Sequence, residues 1–324
     1  MTRRVIKAVI VTAFEPDSGT VPGEFRYWRE REQLTEEVSF PQGYRPLWLS
    51  DAGVLGIVTG VGAARAAASV MALGLDPRFD LTQAFFVVSG VAGVDPARGS
   101  LGSVVLPQYV VDGNLTHELD AREIPDEWPD GFVPIGKSEP YEPPLTARFN
   151  GDDGIVFHLN PNLVSWAYEL TRNTDLLDTQ SMAERRQQFV PAATAHREPN
   201  VLRGDELSTT TFWHGALLNQ RAQRWVEYQT LGKADYAVTG MEDTGILQSL
   251  TFLANAGRVR FDRVLILRGV SNFDQQREGI TAAESLAETK VATYSAYLPS
   301  LENLHRVGSR LLRELLAHWP QLPV

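Results

Sequence analysis

The stretch DYAVTGMEDTGILQSL, Asp235–Leu250, reads as a short buried strand that runs directly into an apolar helix, with two adjacent acids, Glu242 and Asp243, at the junction. A Val-containing run closed by glycine suits a strand, and the apolar-periodic segment after it suits a helix. The same alternation recurs along the chain. KAVIVTAF, GVLGIVTG, QAFFVVSGVAG, GSVVLPQYVV, DYAVTGME and DRVLILRGVSN are short, rich in Val and Ile and closed by Gly or polar residues, as buried strands are. Helical patterns lie between several of them: ARAAASVMALGL, NPNLVSWAYELTRNT, WHGALLNQRAQRWVEYQ, TGILQSLTFLANAG and the long segment from Ala282 to Trp319. Strands alternating with helices predict a three-layer α/β/α sandwich with a mixed central sheet. One domain over 1–324 is the simplest division, with irregular insertions expected near 18–47 and 112–146, the second dense in Pro, Gly and acids.

Composition narrows the function. Of 324 residues, 43% are hydrophobic and 22% charged, the balance of an ordinary globular protein. With 30 Lys plus Arg against 40 Asp plus Glu the net charge is −10, and no basic cluster exists to follow a nucleic-acid backbone. The absence of cysteine excludes disulfides, thiolate zinc sites, Fe–S clusters and a cysteine nucleophile. No HExxH or G-x-S-x-G pattern occurs, and no metal or organic cofactor is expected. The N-terminal MTRRVIKAVIVTAFEPDSG has the basic start of a signal peptide, but Lys7 interrupts the apolar run and no cleavage site precedes Glu15 and Asp17, so it reads as the first strand. No apolar run approaches the ~18 residues of a membrane helix. A soluble protein is expected, in the cytoplasm with the periplasm left open.

Two phosphate-like patterns need structural context. GFVPIGKS, Gly131–Ser138, matches the P-loop pattern but has proline-broken chain on both sides, without the strand and helix that the mechanism requires. TGVGAARAAAS resembles a dinucleotide turn, but Arg65 stands where the third glycine belongs. It still puts a glycine turn at a helix N-terminus, where an anion or a sugar hydroxyl could sit. In TTTFWHG, Phe212 and Trp213 beside His214 could stack a flat heterocycle, or equally pack in the core. The last strand ends RGVSNFD, offering Ser271, Asn272 and Asp274 where ligands bind in open α/β sheets.

In order and spacing VTGVG, VVSGVAGVDPARGSLGSVV, GMEDTG and LRGVSN resemble the purine nucleoside phosphorylase and nucleosidase superfamily. RFDL, YVVDGNLTHELDAREIPDEW, TTTFWHG and MEDTG resemble, more specifically, the purine nucleoside permease family assigned to it, over nearly the whole chain. The resemblance implies a nucleoside phosphorylase-like fold and cleavage of the N-glycosidic bond of a purine nucleoside. Glu242 would accept hydrogen bonds from ribose hydroxyls with Met241 against the sugar, while Asp243 would cap the helix that follows. Asn272 stands where many relatives have Asp, and an amide can hydrogen-bond purine N7 but cannot protonate it, leaving Asp274 as a second donor candidate. Base contacts fall to Asn272, Ser271, Phe212 and Trp213.

The acceptor is less conventional. Val88 and Val91 stand where hexameric phosphorylases carry Arg and Ser, so the acceptor end is assigned to Ser89, Gly90 and Arg65, with Arg122 and Arg268 as further possible clamps. Superfamily frequency favours phosphorolysis, with inorganic phosphate as co-substrate. Asp17, or its neighbour Glu15, would be the general base if water attacks instead. A nucleoside-binding component of transport is the non-catalytic alternative. Relatives that complete their sites across a subunit interface imply a homo-oligomer.

Overall fold

The computed structural model describes residues 3–16, 21–143, 154–190, 192–288 and 296–323. Its centre is a twelve-stranded mixed sheet. Ala8–Thr12, Phe85–Val94 and Val264–Phe273 lie side by side in parallel, and Val54–Val58 extends the parallel set beyond Ala8–Thr12. Val9–Val11, Phe85–Val88 and Val264–Leu267 are at most 2% exposed. A sheet covered on both faces needs no polar face, which is why these strands read as unbroken apolar runs.

Side-chain alternation along Val264–Phe273 establishes the layers. Leu267 reaches Gly308 of the helix Tyr297–His318, and the same helix sets Leu304 over Gly269. Arg268 points the other way, to Asp243 at the start of the helix Asp243–Asn255. That helix packs on Ala63–Leu75. The three-layer α/β/α arrangement with a mixed sheet is therefore as the sequence predicts.

The central strand also splits the sheet. Val264–Phe273 pairs with Phe85–Val94 from Phe86 to Val94, occupying one edge throughout. On the other edge Ala8–Thr12 pairs only as far as Val88, and Tyr236–Gly240 joins antiparallel at Gly93 and Val94. Between those contacts no strand among the described residues covers that edge from Ser89 to Ala92, and the sheet forks there. Side chains take over the exposed backbone: the Val91 N–H donates to Glu24 Oε1 at 2.8 Å, and the Val91 carbonyl accepts from Arg268 Nη1 at 3.3 Å.

Four segments differ from the sequence reading. GSVVLPQYVV is two strands, Val104–Leu106 and Tyr109–Asp112, since Pro107 has no N–H for a ladder. Within 18–47 the described chain forms the helix Arg26–Arg31 and the strand Glu36–Val38. Six residues carry too little periodicity to be seen locally; what holds the helix is Trp28, 1% exposed, whose Nε1–H donates to Ser89 Oγ at 3.1 Å. The last helical segment contains two helices, Ala282–Ala287 and Tyr297–His318, and residues 289–295 between them lie outside the described residues. Within 112–143 the chain makes a small hairpin of Thr116–Glu118 with Phe132–Pro134. GFVPIGKS falls on its second strand and the turn beyond, so it has no helix N-terminus.

The contact between Ala63–Leu75 and Asp243–Asn255 is backbone-close at Gly245, where a Cβ would sit 2.1 Å from the Ala63 carbonyl oxygen. A backbone atom cannot swing aside as a side chain would. Gly245→Ala is expected to destabilise the fold by about 1–3 kcal/mol or more, the scale of core overpacking. Urea titration measures this, and a midpoint unchanged from wild type would show that the two helices can part without cost.

Candidate active site

The strand Tyr236–Gly240 delivers Met241 and Glu242 to the mouth of the fork, and the helix starts at Asp243. Glu242 occupies the N-cap position, but its side chain does not cap this helix. Its Oε1 instead accepts from the Gly62 N–H at 3.0 Å. Gly62 is the N-cap of Ala63–Leu75 at φ +93°, a conformation that glycine adopts without strain. The glycine turn of TGVG at this helix N-terminus thus meets the protein's own Glu242 carboxyl.

Asp243 is not the helix cap that the sequence suggests. Its carboxylate grips Arg268 at both oxygens, with Arg268 Nε at 2.9 Å from Oδ2 and Nη2 bonded to Oδ1. A guanidinium 2% exposed needs a bidentate partner more than the helix needs a side-chain cap. Glu206 lies at 3.3 Å from Arg268 Nε and Glu242 at 3.9 Å from Nη1. Two glycines clear the space: a Cβ on Gly90 would fall 2.4 Å from Arg268 Nη1, and one on Gly240 would fall 2.4 Å from Glu206 Oε1.

Glu24 completes the cluster. Its Oε2 accepts from the N–H groups of Ala13 and Phe14, each at 2.9 Å, and its Oε1 from Val91. One buried cation therefore faces Glu24, Glu206, Glu242 and Asp243. Burial pushes Glu242 up to about 7, with Arg268 opposing the shift and Glu24 adding to it. Burial also raises Glu24. For Arg268 burial works against the charge, yet Asp243, Glu206 and Glu242 outweigh it and hold its pKa above the ordinary value.

Over this cluster opens a cavity of about 200 Å³. Glu24 and Glu242 line it, together with Met241, the Thr211–Trp213 segment, Ser271 and Asn272. Of the sequence candidates, Met241, Glu242, Ser271, Asn272, Phe212 and Trp213 thus come together. Trp213 is 9% exposed and its Nε1–H lacks a partner among the described residues, while Phe212 is 49% exposed. Asn272 Oδ1 accepts from Ser271 Oγ at 2.9 Å, and its Nδ2 donates to the Phe273 carbonyl at 3.0 Å.

The acceptor candidates do not assemble. Ser89 Oγ is engaged by Trp28 on the helix side of the strand, and Gly90 serves to admit Arg268. Arg65 is exposed and donates to the Val61 carbonyl, and Arg122 pairs with Asp120 at the surface. Asp17 lies outside the described residues. Glu15 accepts from the Phe25 and Arg26 N–H groups at the start of the short helix and does not line the cavity. Asp274 is turned away, 1% exposed, accepting from Tyr236 OH at 2.6 Å and Asn219 Nδ2 at 2.9 Å. His214 belongs to an adjacent cavity of about 420 Å³ that shares Ser271 and Asn272. Glu24 is the residue that sequence reasoning missed. It is brought back to the first strand end by a doubling of the chain at Gly23, where a Cβ would lie 2.4 Å from the Phe14 carbonyl oxygen.

The fold of this chain resembles that of nucleosidases of known structure. The structure superposes on the 5′-methylthioadenosine/S-adenosylhomocysteine nucleosidase of Neisseria meningitidis bound to methylthio-immucillin-A with a TM-score of 0.53, covering 96% of this chain and 99% of that one. For the S. pneumoniae enzyme with a transition-state inhibitor the TM-score is 0.54, over 96% and 99%. Identity is 16% in both, so the likeness is one of fold. The sequence speaks more closely: residues 5–322 match the purine nucleoside permease family, to which this chain belongs. A probable purine nucleoside permease of Schizosaccharomyces pombe is 31% identical over 270 residues, 81% of this chain and 76% of that protein. A purine nucleoside permease of Candida albicans is likewise 31% identical, over 82% of this chain but only 64% of its own length.

The raised carboxyls have a consequence for stability. Glu242 and Asp274, each pushed up to about 7 by burial, stay protonated in the folded protein at pH values where the unfolded chain has released those protons. Stability changes with pH as the protons bound by the unfolded chain minus those bound by the folded one, a negative difference between roughly pH 4.5 and 7. The melting temperature is therefore expected to fall from pH 5 to pH 7.5 in differential scanning calorimetry. A rise over that interval would mean that these carboxyls are ionised in the folded state.

Proposed function

We propose that this protein hydrolyses purine nucleosides, with water rather than phosphate as the acceptor. The observation that carries the choice of acceptor is the charge of the cavity. Its described lining holds two buried carboxylates, Glu24 and Glu242, and no Arg, Lys or His. Arg268 beneath them is already surrounded by acids. A phosphate dianion would meet two acids and no cation among the described lining residues, whereas water would meet a base. Superfamily frequency had favoured phosphorolysis; the electrostatics favour the other route.

In this reading Glu242 accepts hydrogen bonds from the ribose hydroxyls and supports positive charge as the C1′–N9 bond breaks and its electron pair passes to the purine. Water bonds to C1′ and yields a proton to Glu24, whose carboxyl burial raises above the ordinary glutamate value. Asn272 hydrogen-bonds the purine without protonating it, so the departing base takes its proton from solvent. Trp213 and Phe212 supply an apolar wall for the flat ring.

The relatives' names favour a second reading, a nucleoside-binding role in transport without turnover. Among the described residues no helix is long and apolar enough to cross a membrane, so transport would require other components. Incubation with inosine or adenosine in phosphate-free buffer separates the readings. Free base and ribose are expected; ribose 1-phosphate formed only when phosphate is added would overturn the choice of acceptor, and binding without cleavage would favour transport.

Glu24→Gln is expected to lower kcat by about 10²- to 10⁴-fold, the range of a lost general base. Glu242→Gln should cost about 10²-fold or more, the scale of one electrostatic contact in the transition state. Both should melt cooperatively. Wild-type turnover in either variant would remove that residue from the mechanism.

Asn272→Asp should raise the ratio of kcat/KM for adenosine over that for inosine, since a protonatable carboxyl can donate to N7 while the base departs. An unmoved ratio would mean that Asn272 does not face the base.

A further inference from the structure

Glu206 lies outside the cavity and has no part in the mechanism above. It sits in the strand Asp205–Ser208, and its side chain is 0% exposed. Neither carboxylate oxygen meets a hydrogen-bond donor among the described residues. Arg268 Nε is 3.3 Å from Oε2, but that N–H is directed at Asp243. Asp243 Oδ2 lies 2.9 Å from that same Nε, so the carboxylates of Asp243 and Glu206 sit side by side against one nitrogen. Two ionised carboxylates have four oxygens and no proton between them, so they can only repel. On the remaining side a Cβ at Gly240 would fall 2.4 Å from Oε1, so the backbone there passes close to the carboxyl.

The surrounding charges point the same way. From the helix start come Asp243 and Glu242, from the central strand Arg268, from the chain after the first strand Glu24, and from the neighbouring strand the Tyr236 hydroxyl. If all four acids were ionised, one guanidinium would face four buried negative charges. Such a cluster sheds charge by binding protons.

We infer that Glu206 is held as a neutral carboxylic acid that donates its proton to Asp243, forming a shared-proton pair beneath the cavity. Asp243 is then the ionised member that grips Arg268, and Glu206 is the donor that fixes Asp243. This leaves Arg268 Nη1 to the Val91 carbonyl and to Glu242, whose charge it supports. Glu206 is a positioning residue two steps removed from any ligand. The inference concerns the unliganded protein and stands or falls independently of which reaction the cavity catalyses.

The test is the melting temperature of wild type and Glu206→Gln, full chain, measured from pH 5.5 to 8.5. Glutamine is neutral at every pH and its amide can donate to Asp243, so the variant should fold. The wild-type proton is retained on folding and released on unfolding, so wild type alone loses stability through this site as pH rises. The difference, variant minus wild type, should grow by roughly 2 °C for each pH unit. A difference that stays constant or shrinks would mean that Glu206 is already ionised, and would overturn the proposal. Should the variant fail to fold, wild type labelled with ¹³C at the glutamate carboxyl answers directly. One glutamate signal should remain at the protonated shift from pH 6 to 8 without titrating. Spectra in which every glutamate is ionised or titrates in that range would refute the shared proton.

Discussion

One guanidinium, that of Arg268, holds together a cluster of carboxylates that could not otherwise be buried side by side. A buried charge without partners is strongly unfavourable, and so is each buried acid without a cation or a donor. Asp243 takes the bidentate grip, Glu206 and Glu242 flank it, and Glu24 is tied by three backbone N–H groups. Removing the cation would leave four acids facing one another across the gap in the sheet. Gly90 and Gly240 are part of the same constraint, because a methyl group at either position would occupy the space of the guanidinium or of Glu206.

The fork in the sheet is what gives that cluster a purpose. A continuous ladder would satisfy the backbone of Ser89–Ala92 with another strand. Here Ala8–Thr12 stops at Val88, Tyr236–Gly240 begins at Gly93, and charged side chains fill the interval. The same interval is the floor of the cavity, so the groups that repair the sheet are also those that would face a ligand. Glu24 and Glu242 hold raised pKa values for a structural reason, burial.

Family and fold point in different directions only in name. The chain belongs with proteins called permeases, and its architecture is that of nucleosidases. The cavity has an aromatic wall and buried acids, and its described lining carries no Arg, Lys or His, which is the ground of the proposal that water is the acceptor.

The sequence alone determined the layers and much of the ligand wall. Unbroken Val/Ile runs, glycine turns and periodic helices are local signals, and so is the strand-to-helix junction at Met241–Glu242. Asn272 and Ser271 were legible because the ends of strands in α/β sheets are where ligands bind, and Phe212 and Trp213 because adjacent aromatics offer a surface for a flat ring. Tertiary structure alone decided the rest. Glu24 lies on a segment without periodicity, and only the doubling of the chain at Gly23 brings it to Ala13 and Val91. Ser89 and Gly90 were sound candidates by position, yet Trp28 from a six-residue helix claims one and Arg268 needs the space of the other. Asp243 read as a cap because a helix start is a local feature, whereas its true partner is 25 residues away on another strand. Local pattern records which face of an element is buried. Which charges meet inside is set by the crossing of distant segments, and no window of sequence contains that.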